Sequence, residues 1–247
     1  MAAELFPTTP DKMTARWLES TLGLGIASAE IEPVGAGAGF AGSVYRIRLA
    51  HRDADESHAR TLIWKTASSD ERTRDFLTTL GVYERELRFY QLLADRVEIA
   101  PLTFISEFDP ESGAFCLIIE DLSHKQPGDQ IAGCTFEQAL EVVSGAARLH
   151  SQFWSEEIGS EASWVPTFDG GTGYFERMHS VAWRRLGRTI QGIPEGLLEA
   201  AQRVGPRVSD VKARLSRTPV TLVHGDLRLD NVFFGQEQGG DGLKLID

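Results

Sequence analysis

The chain has 247 residues, 42% hydrophobic and 25% charged, a balance that excludes a disordered or collagen-like polymer and leaves room for a sizeable core. The formal net charge of −11, with no run of Lys or Arg, excludes the basic footprint of a nucleic-acid binder. No stretch has the length and apolarity of a membrane span, and the N-terminal MAAELFPTTPDKMTARW has no apolar signal core, so a cytoplasmic protein is expected. Cys116 and Cys134 lack metal-ligand spacing, and Cys116 sits in an apolar run that reads as core.

The first helix is expected to start near Thr9-Pro10-Asp11, with Pro at the first helical position and an acid in the first turn. Met13, Trp17, Leu18 and Leu22 then share one face. A short apolar strand at 31–34, the glycine-rich stretch 35–43, an alternating strand at 44–49, a polar loop and a return strand at 61–65 follow. Leu80, Tyr83, Leu87 and Tyr90 recur at spacings of three and four, which predicts one helix over 78–95. Strands are predicted around 103–108 and 114–120, joined by the turn FDPESG. The sum is a five-stranded, mostly antiparallel sheet with one long inserted helix.

After Asp121 the stretch HKQPGDQIAGC reads as a turn-rich linker. Thr135 caps the next helix, with Gln138 three residues on as in a capping box. Its buried face is expected to carry Phe136, Ala139, Leu140, Val143, Ala147, His150 and Trp154. Residues 181–215 read as helical with a break around 192–194, and the end reads as strands at 220–223 and 232–234 and a final apolar strand. Trp154, Trp164 and Trp183 read first as packing for this helical half.

The closing segment VHGDLRLDNVFFGQEQGGDGLKLID carries the most chemistry. His224-Gly225-Asp226 forms a turn after an apolar stretch, Asn231 follows five residues after Asp226, and Asp247 ends a strand. A lone D-x4-N is usually a structural turn. The ordered set, with a second carboxylate on a strand, suits phosphoryl transfer: one carboxylate takes a hydroxyl proton, and an amide oxygen and another carboxylate hold Mg²⁺. His224 reads as a brace for the turn.

This segment resembles the HGD-x4-N and I-D motifs of the aminoglycoside phosphotransferase and choline kinase superfamily, closest to the ecdysteroid-kinase-like and acyl-CoA-dehydrogenase-associated kinases. LIWK (62–65), ERELRFYQLL (84–93), LIIEDL (117–122) and ARLHSQFW (147–154) extend the resemblance over nearly the whole chain. It implies an α+β, protein-kinase-like two-lobed fold, with residues 1–122 as an antiparallel-sheet N-lobe and 123–247 as a partial, mainly helical C-lobe. It also implies an ATP- and Mg²⁺-dependent kinase that phosphorylates a hydroxyl of a small organic molecule. On this resemblance Asp226 is the catalytic carboxylate, Asn231 and Asp247 the metal ligands, and Lys65 the cation for the α- and β-phosphates. Glu86 would fix Lys65, with Glu84 as its rival. Gly37, Gly39, Gly42 and Ser43 would cover the phosphates, although the spacing departs from the protein-kinase G-x-G-x-x-G. Glu120 and Leu122 would flank an adenine-binding hinge.

Kinases of this type continue past the I-D motif, so the chain is expected to be a truncated form with an incomplete acceptor site. The alternative reading is a nucleotide-binding pseudokinase without turnover. The acceptor and the oligomeric state are not written in these residues.

Overall fold

The computed structural model describes residues 5–35, 42–52, 61–154, 164–167, 174–189, 191–217, 219–235 and 242–247. The chain forms two compact units, one of Met1–Leu149 with Val223–Asp247 and one of His150–Leu222. They divide the chain elsewhere than at 122/123, because the last strands are fastened to the N-terminal part. Leu245 N–H donates to the Ile99 carbonyl at 2.7 Å, and Lys244 Nζ donates to the Glu98 and Ala100 carbonyls.

The larger unit begins with a short turn of helix at Pro10–Lys12 and then α1, Ala15–Leu22. Helix α1 starts later than the sequence suggests, because the Thr14 side chain accepts the Trp17 N–H and serves as the cap. Five strands follow: β1 Ile26–Pro33, β2 Gly42–His51, β3 Thr61–Ala67, β4 Thr103–Phe108 and β5 Phe115–Glu120. They make one antiparallel sheet in the order β1-β2-β3-β5-β4. Alternation along β3 sends Leu62 and Trp64 into a core with Leu18, Ile47, Cys116 and Ile118, and leaves Ile63 and Lys65 for the opposite face.

Between β3 and β4 lie two helices, α2 Glu71–Thr79 and α3 Val82–Leu92, where the periodicity predicts one. The break falls at Leu80-Gly81, with Gly81 in the left-handed region at φ 65°. The apolar spacing runs through the break, which is why the sequence reads as continuous. Helix α3 turns Tyr83, Leu87 and Tyr90 inward, and Tyr83 packs on Phe115 with ring centroids 4.9 Å apart.

The stretch after the sheet holds the short strand β6, Gln126–Pro127, and then α4, Phe136–Gln152. The capping box forms: Gln138 N–H donates to Thr135 Oγ1 and Thr135 N–H to Gln138 Oε1. The buried face differs from the expected one. Phe136, 78% exposed, lies outside with Leu140, Val143, Ala147 and Trp154, while Gly145 and Leu149 are inside. Gly145 dictates this orientation, since a Cβ there would come within 2.7 Å of Leu243. Only a glycine stripe lets the helix lie this close to Leu243 and Ile99.

The smaller unit holds α5 Tyr174–Thr189, α6 Glu195–Val204 and α7 Val208–Leu215. The predicted break appears between α5 and α6, with Gly192 at φ 80° and Pro194 just before α6. Trp183 stacks on His179, the packing role expected of it. Residues 220–223 form no strand; they run without a ladder partner among the described residues. The chain then returns to the larger unit for β7 Val232–Phe234 and β8 Lys244–Leu245, which pair antiparallel in a three-stranded sheet β6-β7-β8.

Candidate active site

Lys65 lies on β3 opposite Val44 of β2 and Leu117 of β5, on the sheet face that α3 covers. Its ammonium contacts two carboxylates, Glu86 from α3 and Asp247 at the end of β8. The Lys65 and Glu86 side chains are only 16% and 15% exposed, so water does little to weaken the attraction. Burial disfavours the charge on Lys65. The two carboxylates outweigh it and hold the ammonium above the ordinary lysine range. Glu84 faces outward and pairs with Arg88 at 2.8 Å on the exposed side of α3. Tyr90 is buried beside this cluster, and burial pushes its hydroxyl above the usual range, so it stands as a neutral wall.

The HGD turn is held by its own groups. His224 Nε2 donates to the Ile246 carbonyl at 3.0 Å, and Asp226 N–H points at His224 Nδ1 at 3.4 Å. His224 thus ties the HGD turn to the residue before Asp247. Asn231 Nδ2 donates to the Asp226 carbonyl at 3.0 Å and lies 3.5 Å from its Oδ2. Ile246 N–H donates to the Asn231 carbonyl at 3.0 Å. Asn231 is buried, and with its Nδ2 spent on Asp226 its Oδ1 is the atom left for a cation. Asp226 is exposed at the start of the turn.

Lys65, Glu86, Asp226, Asn231 and Asp247 are thus joined through two contiguous sets of contacts that share Asp247 and its neighbour Ile246. Hard oxygens such as those of Asn231 and Asp247 suit Mg²⁺ better than a softer metal. Among the described residues no three His, Cys, Asp or Glu side chains cluster as a site for a softer metal.

The remaining predicted residues lie on β2 and at the end of β5 where the structure describes them. Gly42 opens β2 where a Cβ would come within 2.3 Å of the Thr66 carbonyl, and Ser43 pairs with Thr66. Gly37 and Gly39 lie outside the described residues. Glu120 ends β5. Its carboxylate accepts the Leu102 N–H at 2.8 Å, and its own N–H donates to the Leu102 carbonyl. Leu122 is buried, with its carbonyl taken by Lys125 N–H. One pair just after β5 escaped the sequence reading: Arg46 Nε donates to Asp121 Oδ2 at 2.7 Å, and the Asp121 side chain is only 3% exposed. Burial alone would raise that carboxyl, but the Arg46 guanidinium and the Ser123 N–H hold it below the usual range. The pair ties β2 to the segment that follows β5. Its partners are 75 residues apart, and only the strand register brings them together.

Comparison with known proteins agrees with this geometry. The sequence model of the ecdysteroid kinase-like family matches residues 36–247. No curated protein matches the sequence. Among solved structures, choline kinase from Cryptosporidium parvum Iowa II is similar with a TM-score of 0.50 and 13% identity, over 93% of this chain and 58% of that one. A complex of streptomycin, ATP and the aminoglycoside phosphotransferase APH(2")-IIa is similar with a TM-score of 0.50 and 12% identity, over 94% of this chain and 68% of that one. At such identities the likeness is one of fold. The chain spans less than two thirds of the choline kinase's length.

Proposed function

Since the chain belongs to the ecdysteroid kinase-like family, a kinase-like family by its fold and its neighbours, we propose that it transfers the γ-phosphoryl group of ATP to a hydroxyl of a small organic molecule. The observation that supports this most is the meeting of Lys65 with Asp247, 182 residues apart, on the side of the sheet where Glu86 steadies the lysine. A cation and a strand-end carboxylate held together in this way suit a metal triphosphate better than an apolar ligand.

In this reading Lys65 contacts the α- and β-phosphates, and Glu86 keeps its ammonium from turning away. Gly42 and Ser43 approach the phosphates with backbone N–H groups and a hydroxyl. The hinge at Glu120 and Leu122 receives the adenine edge. Asn231 Oδ1 and the Asp247 carboxylate would hold Mg²⁺, which when bound neutralises charge on the phosphate oxygens. Asp226 accepts the proton of the acceptor hydroxyl. That oxygen bonds to the γ-phosphorus as the bond to the β,γ-bridging oxygen breaks, and ADP leaves with the released electron pair. Positioning and charge stabilisation carry most of the rate. We place the reaction in the cytoplasm, where the free thiols of Cys116 and Cys134 stay reduced.

The test is a screen of hydroxylated metabolites as acceptors, with Asp226→Asn as control. The substitution is expected to lower transfer by about 10²–10⁴-fold while nucleotide binding survives. Turnover by the variant equal to wild type removes Asp226 from this role. ATP binding with no acceptor phosphorylated by the wild type favours the pseudokinase alternative.

A further inference from the structure

We propose that residues 126–133, between the hinge and α4, form a clasp that sets the shape of the catalytic turn, with Gln130 as its positioning residue. The inference rests on the phosphotransferase reading above. The sequence reads this stretch as a linker, but its polar groups are committed to one target. Gln130 Oε1 accepts the Leu229 N–H at 2.8 Å, and Gln130 N–H donates to Asp230 Oδ1 at 3.0 Å. One residue thus grips two consecutive residues of the D-x4-N turn, about a hundred positions away. Two residues earlier, Gly128 N–H donates to the Val232 carbonyl at 2.8 Å. A Cβ at Gly128 would stand 2.3 Å from the Leu229 carbonyl oxygen, so the two backbones touch.

The clasp is rigid in itself. Asp129 Oδ1 accepts the N–H groups of Ile131 and Ala132 at 2.8 and 2.9 Å, and Gly133 N–H returns to the Asp129 carbonyl. The turn it grips is also tied at its ends. The Asp226 carbonyl accepts both Arg228 N–H and Asn231 Nδ2, and Asn231 N–H returns to the Arg228 carbonyl. Between those ties Leu229–Asn231 form a short 3₁₀ helix, with Val232 N–H on the Leu229 carbonyl and Arg228 paired with Asp230.

Two bonds from Gln130 therefore hold the 228–229 peptide and the Asp230 side chain, on the approach to Asn231, and through them bear on the separation of the Asn231 amide from the Asp226 carboxylate. Gln130 touches neither substrate nor metal in this scheme. It acts through the turn, where a displacement of about 1 Å can cost about a hundredfold in rate.

The test compares the whole chain with Gln130→Ala and Gln130→Glu. ATP affinity is measured by calorimetry in Mg²⁺ and in EDTA, and ATP hydrolysis is measured with water as acceptor. Wild type is expected to gain affinity from Mg²⁺. Gln130→Ala should keep the EDTA affinity and the melting temperature, lose most of the Mg²⁺ gain, and hydrolyse ATP roughly tenfold or more slower. Gln130→Glu, which retains an oxygen for the Leu229 N–H, should recover both. Gln130→Ala matching wild type in both measurements overturns the clasp. So does a loss that appears equally in EDTA affinity and melting temperature, or one that glutamate fails to restore. If the wild type shows neither a Mg²⁺ gain nor hydrolysis, the phosphotransferase reading fails, and the clasp loses its purpose with it.

Discussion

Lys65 is held by opposed effects whose balance decides its chemistry. Burial would strip its proton, and two carboxylates keep it on. With Glu86 removed, Asp247 alone holds the ammonium, which would then compete with the metal for Asp247. Glu86→Ala is predicted to raise the KM for ATP on the order of tenfold, about 1.4 kcal/mol, and Glu84→Ala to leave it unchanged; steady-state kinetics check both. Lys65→Ala should weaken ATP affinity or rate, and unchanged values of both would contradict its role. Two further residues give predictions outside the site. Burial pushes the Cys116 thiol up to about 12, while Cys134 is exposed. A thiol reagent should therefore modify one cysteine in the native chain and both after denaturation. The Asp121 carboxyl is lowered by folding, so its contribution to stability is present above about pH 4 and fades as pH falls through the lowered value. Acid unfolding followed by circular dichroism should lose that dependence in Asp121→Asn. The resemblance offers Glu86 for Lys65 with Glu84 as its rival, and the contact falls to Glu86. The sequence reading missed the pairing of Arg46 with Asp121, because register across a sheet is a long-range fact that no local spacing encodes.

The elements were legible wherever a local rule decided them. The Thr135–Gln138 capping box forms as written, and Thr135→Ala is predicted to cost about 1 kcal/mol, seen as a lower melting temperature. Strands β2 to β5 followed from alternation and turn signals. The inner face of α4 was misread, because the longest apolar stripe is not the one that packs. Gly145 admits Leu243 and Ile99, and close approach outweighed the area that Phe136 and Leu140 would bury. The helix predicted over 78–95 runs through the break at Leu80-Gly81, because a left-handed glycine need not interrupt an apolar period, and it leaves out most of α2. Strand β6 is two residues long, too short for any pattern.

In the larger unit, β8 draws the end of the chain back against residues 98–100, and that return is what gives Lys65 its second carboxylate. The sheet order and the motif order both follow the fold that the HGD-x4-N resemblance implied. The acceptor did not follow, because a fold fixes where phosphate and metal sit and leaves the rest of the pocket free to vary. The whole reading turns on Lys65, Asn231 and Asp247 meeting at one metal triphosphate. Crystals grown with Mn²⁺ and a non-hydrolysable ATP analogue, measured at the manganese edge, locate that metal directly. The predicted result is a manganese peak within about 2.2 Å of Asn231 Oδ1 and the Asp247 carboxylate, with the phosphates against Lys65. A metal bound to other side chains, or a nucleotide away from Lys65, would contradict it.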